Sequence, residues 1–461
     1  MAVEIMSKLI NNIIPFSLFI YSCSALIVFE LFSIGIINPY FYIVTIVVFS
    51  ILYECNSVKA RFFFTPLGVV ILLCVLYFPV NYLILPKTNY SEYSLILGAI
   101  SLSAILLSGI FVLSFFKSEN KELIEFRESE LVKIKVVYFI GFFGTIASII
   151  TGNFFGQYDV SNKYLSPVLG ALVNLRFLGF AGLVAILSLN SKKNKFVMFL
   201  FLIEVGFAFL TTSKQLIIYP ILVILMSREY SGNRVSKINI LIVSIVVLFL
   251  FSITYAVRNI WYTYLGQAEV SISDILELAM AIPSALTSLT FDDYFKLLES
   301  VVTRFHGIHS LNLIMENGRP LGYENYQGLS YAISLIVPRL IWPDKPDADY
   351  QIMFGYEFYG IEPSMRVLIP PTQVGVAYLD YGIAGVIIIS SVLGIIGAYL
   401  NISFSRIGKG MSSTKLLLIF YLFVQFTKIE AHPFEILSSV VKNAMLIGFI
   451  LYIITSKYKV R

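Results

Sequence analysis

The stretch YSLILGAISLSAILLSGIFVLSFF, residues 93–116, decides the fold class. It carries no charged side chain, and as a helix it reaches about 36 Å, enough to cross a hydrocarbon core of roughly 30 Å. A helix is required there, because lipid offers no partner to an open peptide group. Outward from this run, similar apolar segments recur at 13–36, 39–54, 65–85, 134–151, 168–190, 196–210, 215–227, 238–257, 383–403, 416–428 and 436–455. Alternating strands of about ten residues, which an outer-membrane barrel needs, do not occur. The expected fold is an all-α polytopic membrane protein with about 12 transmembrane helices.

Composition points the same way. Hydrophobic residues make up 58% of the chain and charged residues 13%, where soluble domains hold about 45–50% and about 25%. A mean hydropathy of +0.84 excludes a water-facing globule. The net charge of +5 sits in loop clusters, as positive-inside topology demands, and does not indicate nucleic acid. Cys23, Cys55 and Cys74 lie in or beside apolar runs and read as small buried hydrophobes, with no disulfide framework. The run from Ile13 to Ile36 is too long for a signal-peptide core and reads as a retained anchor.

Basic residues set the topology. Lys59 and Arg61, then Lys117 to Lys135, Lys192 to Lys195, Arg228 to Lys237, Arg406 to Lys415 and Lys457 to Arg461 fall on alternate connections. That side is expected to be cytoplasmic, with both termini inside. Residues 196–227 have basic flanks at both ends, so they are expected to fold back as a short hairpin with Thr211-Thr212-Ser213-Lys214 at its tip. The chain then divides into 1–257 with nine spans, a large outer loop over 258–382, and 383–461 with three more spans.

Within the loop, Asp292 and Asp293 open a helical pattern that Asn317-Gly318 and Pro320 close. Tyr331 to Trp342 is apolar but too short to span, and suits the interface.

Several polar groups stand where polarity is costly. Arg176 lies inside a span; it either faces the bundle interior or snorkels to headgroups. Lys214 at the hairpin tip invites the same two readings, and Arg258 is either functional or an interfacial anchor. His306 and His309 share one face of the loop helix, with Glu299 two turns before His306 and Arg304 elsewhere on the wheel. General-base duty suits a histidine, and a solvated or capping role is the bland alternative. No zincin-like third ligand follows, so a metal is not expected. Asp347-Ala348-Asp349 has metal-binding spacing but no nucleotide domain around it. Glu430 and His432, beside Pro433, form a second acid/base pair or a helix cap. Arg176, Lys214, Arg258, Arg304, Arg339, Lys345, Arg366 and Lys428 would together suit a pyrophosphate if they converge on the outer face.

Pro338-Arg339-Leu340-Ile341-Trp342-Pro343-Asp344-Lys345-Pro346 resembles a signature of the bacterial oligosaccharide repeat-unit polymerases, the Wzy-type O-antigen polymerases. Val374 to Gly385 is similar to the segment that enters the next span in that family, and Thr211 to Lys214 resembles its Ser-Arg element. Two positions depart from the pattern: Val376 replaces an acidic residue, and Lys214 replaces an arginine.

The resemblance implies a GT-C-like membrane glycosyltransferase of the inner membrane with a periplasmic loop. It would move a glycan from undecaprenyl pyrophosphate onto an incoming lipid-linked repeat unit. A base takes the hydroxyl proton, and cations meet the charge growing on the leaving group. On that reading Arg176, Lys214, Arg258, Arg304, Arg339 and Arg366 hold the pyrophosphate. His309 is the first candidate base, followed by His306, Glu430 and His432. No metal or other cofactor is required, because guanidinium groups can neutralise the diphosphate. Donor and acceptor lipids are the expected partners, with a flippase and a chain-length regulator of the same pathway. A lipid-linked oligosaccharide flippase, an O-antigen ligase and a non-enzymatic scaffold are the competing readings.

Overall fold

The computed structural model describes residues 64–80, 92–115, 128–150, 165–188, 194–211, 215–232, 235–236, 238–247, 307–316, 350–362, 371–407 and 411–457, with scattered positions between 249 and 369. These residues are almost entirely helical. In chain order the helices are α1 (Pro66–Val75), α2 (Glu92–Phe115), α3 (Glu128–Ile150), α4 (Leu165–Ser188), α5 (Asn194–Thr211) and α6 (Gln215–Tyr230). They continue with α7 (Ile238–Val247), α8 (Gly307–Glu316), α9 (Tyr350–Tyr359), α10 (Thr372–Ser405), α11 (Ser413–Phe426) and α12 (Pro433–Lys457). Spans 13–36 and 39–54 lie outside the described residues.

Four of these helices are long and apolar enough to cross a membrane: Tyr93–Leu113, Glu128–Ile150, Leu169–Ser188 and Thr372–Ser405. Their outward faces are apolar too. Phe143 on α3 is 65% exposed and Ile388 on α10 is 61% exposed, with Phe139, Ile383 and Ile387 beside them. In water such faces would aggregate; against acyl chains they are the expected surface. The chain is a helical, membrane-embedded protein.

The described helices fall into two compact units that interleave along the sequence. Residues 1–120, 305–405 and 425–440 form the first, and 121–304, 406–424 and 441–461 the second. Compactness therefore partitions the chain differently from the succession of spans and loop.

In the first unit α10 packs on α2 and α1. Thr65 caps α1 by accepting the Gly68 N–H at 3.1 Å, and Pro66 occupies its first turn, where a missing N–H costs nothing. The buried Leu67 N–H of that turn, which has no partner within the helix, donates to Asn401 Oδ1 at 2.9 Å, which ties α1 to α10. Ser101 and Ser390 share a hydrogen bond of 2.8 Å between α2 and α10. A Cβ at Gly394 would overlap the Ile105 carbonyl, so only glycine permits this approach.

α10 is not one straight rod. Gly382 has φ 62° and ψ −151°, a region that essentially only glycine occupies, and it breaks the helix. The piece after the break, 383–405, covers about 35 Å and matches the span read at 383–403. The piece before it, 372–381, carries polar groups.

In the second unit α3 lies against α4. Cβ atoms at Gly141 and Gly179 would fall on the backbones of Arg176 and Tyr138, and one at Gly144 would overlap Leu172. α5 and α6 are separate helices on either side of 212–214 that pack on each other and on α4, in keeping with the hairpin reading of 196–227.

Between the long helices, Asp293 accepts hydrogen bonds from the Thr290 N–H (2.9 Å) and hydroxyl (2.6 Å) and returns its own N–H to Thr290 Oγ1 at 3.3 Å. This reciprocal box starts a helix where the sequence placed one. α8 ends at Glu316, directly before Asn317-Gly318.

Candidate functional site

The first unit gathers a polar cluster at the start of α10. Its foundation is the connection between α11 and α12, residues 427–432. The Gln373 N–H donates to the Ile429 carbonyl at 2.8 Å, and Gln373 Nε2 donates to the Lys428 carbonyl at 2.8 Å. Turn bonds Ile429 N–H to Thr427 O and Ala431 N–H to Lys428 O, 2.9 and 3.1 Å, keep the connection tight. Thr372 opens α10 with φ 66°, a strained value for a β-branched residue, while its hydroxyl accepts the Gly375 N–H at 3.2 Å.

On this base stand four titratable side chains. The Tyr77 hydroxyl donates to Glu430 Oε1. His432 Nε2 lies 3.7 Å from Asp380 Oδ2, with side chains 1% and 3% exposed. His432 Nδ1 accepts the Phe434 N–H at 3.1 Å. Burial pushes the His432 imidazole down to about 3, so it is neutral near pH 7 and its approach to Asp380 is not an ion pair there.

Tyr77 links the cluster to α8. A Cβ on Gly307 would meet the Tyr77 carbonyl at 2.8 Å, so glycine lets the helix start against the π turn Leu76–Val80. Two residues on, His309 packs edge-on against Tyr359, ring centroids 6.0 Å apart. Burial lowers its pKa and Glu316 opposes that shift. The buried side of α8 is formed by Ile308, Leu311 and Ile314.

The second unit holds a separate charged group. Arg176 is fully buried, as the bundle-interior reading requires, and does not snorkel. Its Nε lies 3.2 Å from Oε2 of Glu204, itself fully buried, and its guanidinium stacks 4.1 Å above the Phe207 ring. Tyr138 approaches the same carboxylate at 3.5 Å. Arg176 thus has an anion of its own inside the helices, which sequence reading did not foresee.

The structure therefore brings Glu430 and His432 into one cluster and sets His309 in the same unit beside Tyr359. His306, Lys214, Arg258, Arg304, Arg339 and Arg366 lie outside the described residues, as do Lys345, Asp347 and Asp349. Among the described residues no group of three His, Cys, Asp or Glu side chains has metal-site geometry.

Tyr77, Asp380 and Glu204 were missed as site residues. Glu204 is the one acidic residue in its apolar run and Asp380 stands three residues before the span that begins at 383, so both carried the signal of an ionisable group in a costly place. Tyr77 carried none. No family model, curated protein or solved structure matches the chain.

Proposed function

We propose that this protein is a membrane glycosyltransferase that polymerises undecaprenyl-pyrophosphate-linked oligosaccharide repeat units at the periplasmic face, as a Wzy-type polymerase does. The observation that carries the reading is the polar cluster at the head of α10, where Asp380, His432, Glu430 and Tyr77 come together in an otherwise apolar helical frame. Buried ionisable groups in such a frame are expensive and point to chemistry. The run Pro338 to Pro346, with its resemblance to the repeat-unit polymerases, supplies the direction of that chemistry.

The reaction needs few parts. A sugar hydroxyl attacks the anomeric carbon of the lipid-bound chain, and lipid pyrophosphate departs. A base accepts the hydroxyl proton, and cations stabilise the diphosphate as charge develops. Lys428 and the arginines of the 258–382 region, Arg304, Arg339 and Arg366, are the proposed cations, with Arg258 and Lys214. Arg176 is better assigned to Glu204. The proposal includes about twelve spans and a periplasmic loop over 258–382.

Deletion of the gene followed by gel analysis of surface polysaccharide tests the reading. Loss of the ladder with single-unit glycan retained is the expected result, and Arg339→Ala should reproduce it. Loss of the single unit as well would indicate a flippase or a ligase instead, and normal long chains would end the assignment.

A further inference from the structure

We propose that Asp380 is the general base that takes the acceptor hydroxyl's proton, and that His432 is a positioning residue holding its carboxylate. This rests on the glycosyltransferase reading above and assigns the role to a residue that the sequence reading placed within Val374 to Gly385 but gave no part in the chemistry.

The assignment comes from counting lone pairs. His432 Nδ1 already accepts the Phe434 N–H at 3.1 Å, so the neutral imidazole carries its proton on Nε2. That Nε2–H faces Asp380 Oδ2 at 3.7 Å. In this state neither ring nitrogen offers a lone pair to a substrate, and His432 is a donor. One oxygen of Glu430 is taken by the Tyr77 hydroxyl. Asp380 differs: its side chain is 3% exposed, and Oδ1 has no hydrogen-bond partner among the described residues. A carboxylate with an N–H facing one oxygen, just beyond hydrogen-bond distance, and the other oxygen unpartnered keeps a lone pair for a hydroxyl proton, as a base must.

A second acceptor stands on the same helix. Gln373 lies seven residues before Asp380, two turns earlier on the same face of α10. Its Nε2 is committed to the Lys428 carbonyl, which leaves Oε1, also buried and without a partner among the described residues. Two buried, unmet acceptors about 10 Å apart along a helix call for a ligand rich in O–H donors. Leaving them unmet costs about 1–3 kcal/mol each. The non-reducing end of an oligosaccharide has that chemistry and that reach.

In the transfer step the acceptor oxygen forms its bond to the anomeric carbon, and the bond from that carbon to the pyrophosphate oxygen breaks. The bonding pair leaves with the lipid pyrophosphate. The hydroxyl proton passes to Asp380 Oδ1 and later to water.

The test uses the full chain in proteoliposomes, with lipid-linked oligosaccharide extracted from cells that lack this gene. Asp380→Asn should lose about a hundredfold or more in kcat with KM little changed. Asp380→Gly should regain turnover when formate is added, because a small carboxylate replaces the missing base. His432→Phe should lose activity, and His432→Gln, which keeps an N–H directed at Asp380, should recover much of it. Equal thermal transitions in detergent establish that each variant is folded. An Asp380→Asn protein that polymerises at the wild-type rate would overturn the inference and leave the glycosyltransferase reading standing. A loss in Asp380→Gly that formate does not relieve would overturn it too. Failure of the wild-type protein to extend the extracted lipid would remove both.

Discussion

The Arg176 Nε lies 3.2 Å from Glu204 Oε2, and both side chains are completely enclosed by apolar helices. The pair joins α4 to α5 in a medium that solvates neither ion, while Phe207 covers the guanidinium face. Taking two ions out of water is costly, and breaking such a pair costs more than replacing it.

Arg176→Met and Glu204→Met should therefore each destabilise the protein by about 3–5 kcal/mol, since each strands a buried charge. The double variant should be more stable than either. Thermal unfolding in detergent measures this; additive losses in the double variant would show that the two side chains do not act as a pair.

Gly141→Ala should be harmful because the new methyl group would fall on the Arg176 backbone, which cannot yield as a side-chain tip can. A loss of about 1–3 kcal/mol is expected from forced separation of α3 and α4. Gly206→Ala is the control, since nothing lies within 4 Å of its Cβ position. The same melting experiment compares them, and equal stability of the two variants would contradict the packing.

Gly382→Ala tests the break in α10. At φ 62° and ψ −151° an alanine costs about 1–3 kcal/mol. Because Asp380 sits just before the break and the membrane-crossing piece just after it, the variant should also displace Asp380 from His432. Polymer formation should fall further than the stability loss alone explains, as read on a polysaccharide gel beside a variant matched in melting temperature.

His432 should make the fold acid-sensitive. Its folded pKa is depressed to about 3 from 6.5, so between those values the unfolded chain binds more protons. The stability it allows is complete above the unfolded value. It falls as pH drops toward 3, by up to about 1.4 kcal/mol per unit. His432→Asn should remove that slope. Denaturation midpoints taken from pH 7 to pH 4 supply the measurement; identical slopes in both proteins would rule the effect out.

Legibility in the sequence followed the physics of each signal. The span at 383–403 was readable because it begins after Gly382, where a helix breaker coincides with a hydropathy rise. The helix start near Asp293 was readable from its cap, and the end of α8 at Glu316 from Asn317-Gly318. Glu430 and His432 stood out as polar groups between two apolar runs. Their partners did not stand out. Tyr77 lies 353 residues from Glu430, in a segment where tyrosine is unremarkable. Arg176 was singled out alone because nothing in α5 indicates which helix Glu204 faces.

By itself, the sequence determined that this chain is helical and membrane-embedded, and where several helices start and stop. Those properties are sums over neighbouring residues: transfer free energy per segment, and caps and breakers within a few positions. Only the tertiary structure decided that Asp380 meets His432, that Tyr77 meets Glu430 and that Arg176 meets Glu204. In lipid a helix can be apolar all round, so its hydropathy carries no stripe to mark the face its neighbour will cover. Glycine contacts and packing choose that face, and they exist only once the helices have come together.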